Sequence, residues 1–176
     1  MGTICGANCD NCGFKDKCAG CEKTCGSPFG GRCVAAEYIK AKGKEKYGEF
    51  KQALLREVNG LLASHGCPEA AALSELPGLY VNLAYPLPGG ERVKFLEDKN
   101  VYLGTQVELA GQERCVGAVA DEGFILLCSY GEGGADPELL AYRKRYARKP
   151  WNGRGFGTLC RPLFIKRRRV RIRRCE

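Results

Sequence analysis

The chain has 176 residues, 44% of them apolar and 27% charged, a globular composition and not a fibrous or wholly disordered one. No run of about 18 apolar residues occurs, and the opening lacks the basic stretch and apolar run of a secretory signal, so a cytoplasmic protein that does not enter the membrane is expected. The net charge of +8 is local: 11 Lys and Arg lie from Arg148 onward against the single acid Glu176, which leaves 17 basic and 19 acidic side chains in residues 1–147.

The first 33 residues, "MGTICGANCDNCGFKDKCAGCEKTCGSPFGGRC", hold seven of the 12 cysteines and few apolar side chains beyond Ile4, Phe14 and Phe29. So short and polar a piece cannot bury enough surface to order itself and needs a cross-link. In a reducing compartment a clustered set of thiols points to metal before disulfides. The spacings are Cys5-x3-Cys9-x2-Cys12 and Cys18-x2-Cys21-x3-Cys25, with Cys33 after seven more residues. Two Cys-x-x-Cys pairs with Gly13 and Gly20 beside them have the form of metal knuckles, in which a tight turn brings two thiolates to one ion and glycine lets N–H groups face the sulfurs.

The candidate metal ligands are therefore Cys5, Cys9, Cys12, Cys18, Cys21, Cys25 and Cys33. The preferred tetrahedral zinc site is Cys9, Cys12, Cys18 and Cys21, with the others as alternates or as ligands of a second ion. An iron-sulfur cluster on Cys5, Cys9 and Cys12 with a fourth ligand nearby is the alternative, because thiolate spacing alone rarely separates iron from zinc. The same spacing occurs in radical S-adenosylmethionine enzymes, but there it sits in a large α/β barrel, for which this chain is too short.

From Val34 the pattern turns helical. "VAAEYIKAKG" is a short helix that stops at Gly43, and a longer one follows with Tyr47, Phe50, Leu54, Val58, Leu61 and Leu62 at steps of three and four, ended by Gly66 and Pro68. After "CPEAAALSELPG" the period falls to two, which predicts strands at 79–85, 91–96, 101–103, 106–109, 115–120, 124–130 and 139–143. The turns between them, such as "PLPGG", "EDKN", "DEG" and "GEGGADP", carry the residues that tolerate tight backbone geometry. The expected fold class is α+β: an N-terminal cysteine-rich metal-bound module at 1–33, a helical hairpin at 34–66, and an antiparallel β-rich half at 67–147 that forms a small sheet or curls toward a barrel.

Residues 148–176 end in "IKRRRVRIRRCE" and read either as an arginine-rich arm able to bind phosphates or as out-of-frame sequence. A nucleic acid would be engaged only through this tail, together with the zinc module. Otherwise the partner is an unknown protein or small molecule.

"CGANCDNCGFKDKCAGC", "FGGRCVAAEYIKAKG", "GLYVNLAYPLPGGERVKFLEDKNVYLGTQVE" and "RCVGAVADEGFILLCSYGEGGADPE" together resemble a cysteine-rich bacterial family, domain of unknown function 3795, found in anaerobes and described as zinc-binding. The resemblance runs from about residue 1 to about residue 145. It implies metal binding at Cys5, Cys9, Cys12, Cys18, Cys21 and Cys33, gives Cys25 no counterpart, and imports no reaction.

Elsewhere the residues read as structural. The "GEGGADPE" loop, with Glu132, Asp136 and Glu138 as conceivable oxygen donors, reads as a hairpin turn, since it lacks the alternation of a calcium loop. His65, the single histidine, reads as a helix cap, and no serine-histidine-acid triad can be assembled around it. Asp121-Glu122 and Glu97-Asp98 fall in turns, where acids are solvated. Cys115 and Cys128, in strands, read as small buried hydrophobes. The expected protein is non-catalytic, with zinc holding the N-terminal segment in shape as a binding or interaction surface.

Overall fold

The computed structural model describes residues 3–6 and 17–145. Helix α1, Val34–Lys42, begins after the extended backbone of Cys33 and ends at Gly43, whose φ of 89° a side chain would make costly. Gly43 donates its N–H to Ile39 (2.8 Å), and its carbonyl accepts from Tyr47 (3.1 Å), so one glycine closes α1 and opens α2, Lys44–Ser64. The stripe expected on α2 is the one buried: Tyr47, Leu54, Val58 and Leu62 are inside, with Phe50 and Leu61 packed beside them. At its end Gly66 (φ 68°) donates to Ala63 and Cys67 to Leu62, both at 3.0 Å.

Seven strands follow: β1 Ser74–Pro77, β2 Ala84–Pro86, β3 Arg92–Lys94, β4 Val101–Glu108, β5 Cys115–Ala120, β6 Phe124–Tyr130 and β7 Glu138–Lys144. Five form an antiparallel sheet in the order β1-β4-β5-β6-β7, and β2 pairs with β3 as a separate ribbon between β1 and β4 in sequence. The fold is α+β. The sheet is open and linear, with β1 and β7 as its edges, and is not curled into a barrel as the sequence allowed.

Two further corrections concern glycines. The strands expected at 101–103 and 106–109 are one strand, β4. Gly104 is a packing position and no break, since a Cβ there would stand 2.6 Å from Leu76 Cδ2 on β1. The strand expected from residue 79 begins instead as a 3-10 turn, Gly78–Tyr80, because Gly78 lies against the Glu97 carbonyl, where a Cβ would come within 2.2 Å. β1 just before it was not anticipated.

The central strands are covered on one face along their length and on the other in part. On one, Leu103, Val116, Ala118, Ala120, Ile125 and Leu127 share a core with Leu54, Val58 and Leu62 of α2 and with the start of α1. On the other, Leu83 and Leu96, flanking the ribbon, pack against Tyr102, Val119 and Leu126. Burial on both sides explains why β6 reads "FILLC" without alternation. Each fully buried Leu or Ile contributes about 1.5–3 kcal/mol relative to exposure. Among the described residues no helix is long and apolar enough to cross a membrane.

Candidate functional site: the cysteine-rich segment and a cleft on the sheet

The cysteine-rich segment enters α1 along the edge of the sheet. Arg32 donates its N–H to Asn100 Oδ1 (2.8 Å), its carbonyl accepts from Val101 (2.7 Å), and Cys33 forms a parallel bridge with Val101. Gly31 is pressed so close that a Cβ would meet the Lys99 carbonyl oxygen at 2.5 Å. Before it the chain turns through Gly20 and Gly26, both at φ 86°. Gly26 donates to the Cys21 carbonyl (2.7 Å), and the Thr24 hydroxyl donates to the Gly20 carbonyl (2.7 Å). The Gly20 N–H donates to Cys18 Sγ at 3.4 Å.

Cys33 is buried, with 4% of its surface exposed. Burial pushes its thiol up to about 11, the Ala36 and Ala35 N–H groups at the helix start pull the other way, and charge on Cys21 or Cys5 would raise it further. Cys21 and Cys5, distant in sequence, therefore each lie within electrostatic reach of Cys33 at the start of α1. Cys5 packs with Ile4 against the helical core. Cys25 is turned away: it is exposed, holds a left-handed φ of 50°, and gives its carbonyl to Lys40 Nζ.

Cys9 and Cys12, half of the preferred zinc site, lie outside the described residues, as does the basic tail 148–176. Among the described residues no group of three or more His, Cys, Asp or Glu is placed to hold a metal ion, and all eight described cysteines are free thiols.

The "GEGGADPE" loop is a connection between β6 and β7, closed by Gly131 N–H to the Ala135 carbonyl (2.8 Å) and held by Arg114 donating to the Asp136 carbonyl (2.9 Å). Asp121 is not a solvated acid: it is 8% exposed, and its Oδ1 accepts from Gly123 (2.6 Å) and Phe124 (3.0 Å) to shape the β5–β6 turn. At His65 it is the backbone N–H, donated to Leu62, that finishes α2. Cys128 is buried as expected, its thiol pushed up to about 11 by burial, while Cys115 is half-buried and accepts from Gln106 Nε2 (3.3 Å).

A cleft of about 530 Å³ on the sheet face opposite the helices escaped the sequence reading. Its floor includes Gln106, Gly117, Val119, Cys128 and Tyr130, neighbours across β4, β5 and β6. Its walls come from residues 80–82 and from Gly133, Gly134 and Pro137 of the β6–β7 loop. The one sequence signal was Gly117 inside an otherwise apolar strand.

Comparison with protein-family models, with curated proteins and with solved structures gives no match for this chain.

Proposed function

We propose that the cysteine-rich segment binds one zinc ion through thiolates drawn from Cys5, Cys9, Cys12, Cys18, Cys21 and Cys33, and that the ion shapes this segment as a surface for a protein or small-molecule partner. What supports the reading is that Cys5 and Cys21 each lie within electrostatic reach of Cys33 at the start of α1, which spacing alone does not require. It brings Cys5 and Cys33 to equal standing with the four cysteines preferred from sequence and leaves Cys25 aside. The donor set is all sulfur, which suits zinc or iron. The resemblance to the cysteine-rich bacterial family implies the same.

The role is structural by the chemistry of the surroundings. Around these thiols the chain supplies glycine turns, a helix start and aliphatic side chains, the materials of a folded support. Once bound, the ion would supply cross-linking, drawing the loop of residues 5–33 onto the α1–β4 junction that Arg32 and Cys33 already form.

Elemental analysis of protein purified without oxygen, read with its visible spectrum, tests the proposal. The expected result is about one zinc per chain and no colour. Cys25→Ser should keep the metal, and Cys33→Ser should lose most of it. Iron with acid-labile sulfide and absorbance at about 400 nm would instead establish the iron-sulfur alternative. Metal-free protein with unchanged protease resistance in residues 1–33 would refute both.

A further inference from the structure

The cleft opposite the helices is independent of the cysteines of residues 5–33, and its chemistry is specific enough to name a class of ligand. It exists because the sheet is incompletely covered on this face. Leu83 and Leu96 close over Tyr102, Val119 and Leu126, but the columns of residues that follow, Gln106 beside Gly117 beside Cys128 and then Cys115 beside Tyr130, have no ribbon above them. Gly117 deepens the floor, and the Tyr130 ring leans across it, so that a Cβ at 117 would stand 2.9 Å from Tyr130 Cε1. The volume of about 530 Å³ falls within the range of small-molecule sites.

Among the described residues no Lys, Arg, His, Asp or Glu lines it. An ionised group placed there would lose its water without gaining a counter-charge, which selects against anions and cations alike. What the walls offer is flat apolar surface from Leu76, Val81 and Val119, a Tyr80 ring 44% exposed at the rim, and a few neutral hydrogen-bonding groups. The Tyr130 hydroxyl donates to Gln106 Oε1 (2.9 Å), Gln106 Nε2 donates to Cys115 Sγ, and the phenolic oxygen keeps a lone pair to accept with. Burial pushes the Tyr130 phenol up to about 12, and its one proton is given to Gln106, so toward a ligand it acts as an acceptor. Asn82, whose side chain has no hydrogen bond among the described residues, adds an amide at the opposite wall.

We propose that this cleft binds an uncharged heteroaromatic molecule of about nucleoside size, its ring on the apolar floor and its polar edge toward Tyr130, Gln106 and Asn82. A separate groove that shares Asn82 and Pro137 carries Arg92 and Lys94 together with Asp136 and Glu138. Its mixed charge favours no anion, so the neutral ligand is preferred over its phosphorylated form.

Saturation-transfer NMR and calorimetry on the full chain, with adenosine, nicotinamide and riboflavin as probes and adenosine monophosphate as the charged comparison, test this. At least one neutral probe should bind saturably at one site with Kd below about 1 mM. Tyr130→Phe should weaken it about fivefold, and Asn82→Trp, which fills the mouth from an exposed position, should abolish it with the circular dichroism unchanged. The proposal is overturned if none of the neutral probes binds in that range, if only the monophosphate binds, or if binding survives both substitutions.

Discussion

Arg145 grips Glu57 with two nitrogens, Nη2 to Oε1 at 2.9 Å and Nε to Oε2 at 3.1 Å, and so fastens the end of β7 to the middle of α2. The same guanidinium donates through Nη1 to the Asp121 carbonyl (2.8 Å) and the Glu122 carbonyl (3.2 Å), and its plane lies 5.7 Å from the Phe50 ring. One side chain thus ties helix, turn and edge strand together. Truncation would remove a bidentate pair, two carbonyl contacts and aliphatic packing at a site only 16% exposed. Arg145→Ala should therefore cost about 1–3 kcal/mol in urea unfolding, and Glu57→Gln, which keeps the shape, under about 1 kcal/mol. Equal losses from the two would mean that the ion pair and not the carbonyl contacts carries the effect.

The pair also has a pH signature. The hydrogen bond from Arg145 holds the Glu57 carboxyl below its ordinary value, against a smaller opposing effect of burial. A lowered folded pKa means the contribution is present above the ordinary carboxylate pKa of 4.5 and disappears as pH falls through the folded value. Glu57 is 40% exposed, so solvent screening keeps the amount small. Melting temperatures of the native protein and Glu57→Gln should differ at pH 7 and converge by about pH 3; a gap that is constant or widens toward acid contradicts this sign.

How far the sequence foretold these arrangements depends on whether their cause is local. The α2 stripe follows from spacing along one helix, and β5 and β6 match their expected bounds because "DEG" is a sharp turn between two unbroken apolar runs. β1 is four residues long, ends on Pro77 and is a strand only because β4 lies beside it, a contact 24 or more residues away in the chain. The placing of Cys33 beside β4 goes with the docking of Arg32 on Asn100, which no cysteine spacing encodes. The cleft is built from four separate stretches of chain, so only Gly117 hinted at it.

Gly31 offers a test of that docking. A methyl group there would meet both Lys99 O and Asn100 Oδ1 at 2.5 Å, and since the first is backbone, the two segments must move apart. Gly31→Ala should cost about 1–3 kcal/mol and speed proteolysis of residues 17–33. Gly89→Ala, with nothing within 4 Å and no positive φ, should change stability by under about 0.5 kcal/mol. Proteolysis of the N-terminal segment left unchanged in Gly31→Ala would mean that this contact does not hold it.

The interface between α2 and the sheet should dominate stability. Leu54 is 0% exposed in the cluster that joins α2 to β4, β5 and β6, and Leu54→Ala should cost about 2–5 kcal/mol through lost burial and the space left behind. Leu139 on the edge strand β7 is 42% exposed, and Leu139→Ala should cost under about 1 kcal/mol. Chemical unfolding of the two variants compares them directly, and similar losses would argue that β7 is covered in solution by something beyond the described residues.

The cysteines outside the proposed ligand set should sort by exposure and thiolate supply. Alkylation requires the thiolate, and a thiol at about 11 supplies roughly one part in a thousand at pH 8. Cys128 combines that shift with 2% exposure, whereas Cys25 is exposed on its turn. Iodoacetamide on the native protein at pH 8, followed by peptide mass spectrometry, should therefore label Cys25 early and Cys128 only when the sheet opens. The rate at Cys128 should track urea concentration through the unfolding transition. Rapid labelling of Cys128 without denaturant would instead show that the cleft floor opens in the native state, and a bound neutral probe should then slow it.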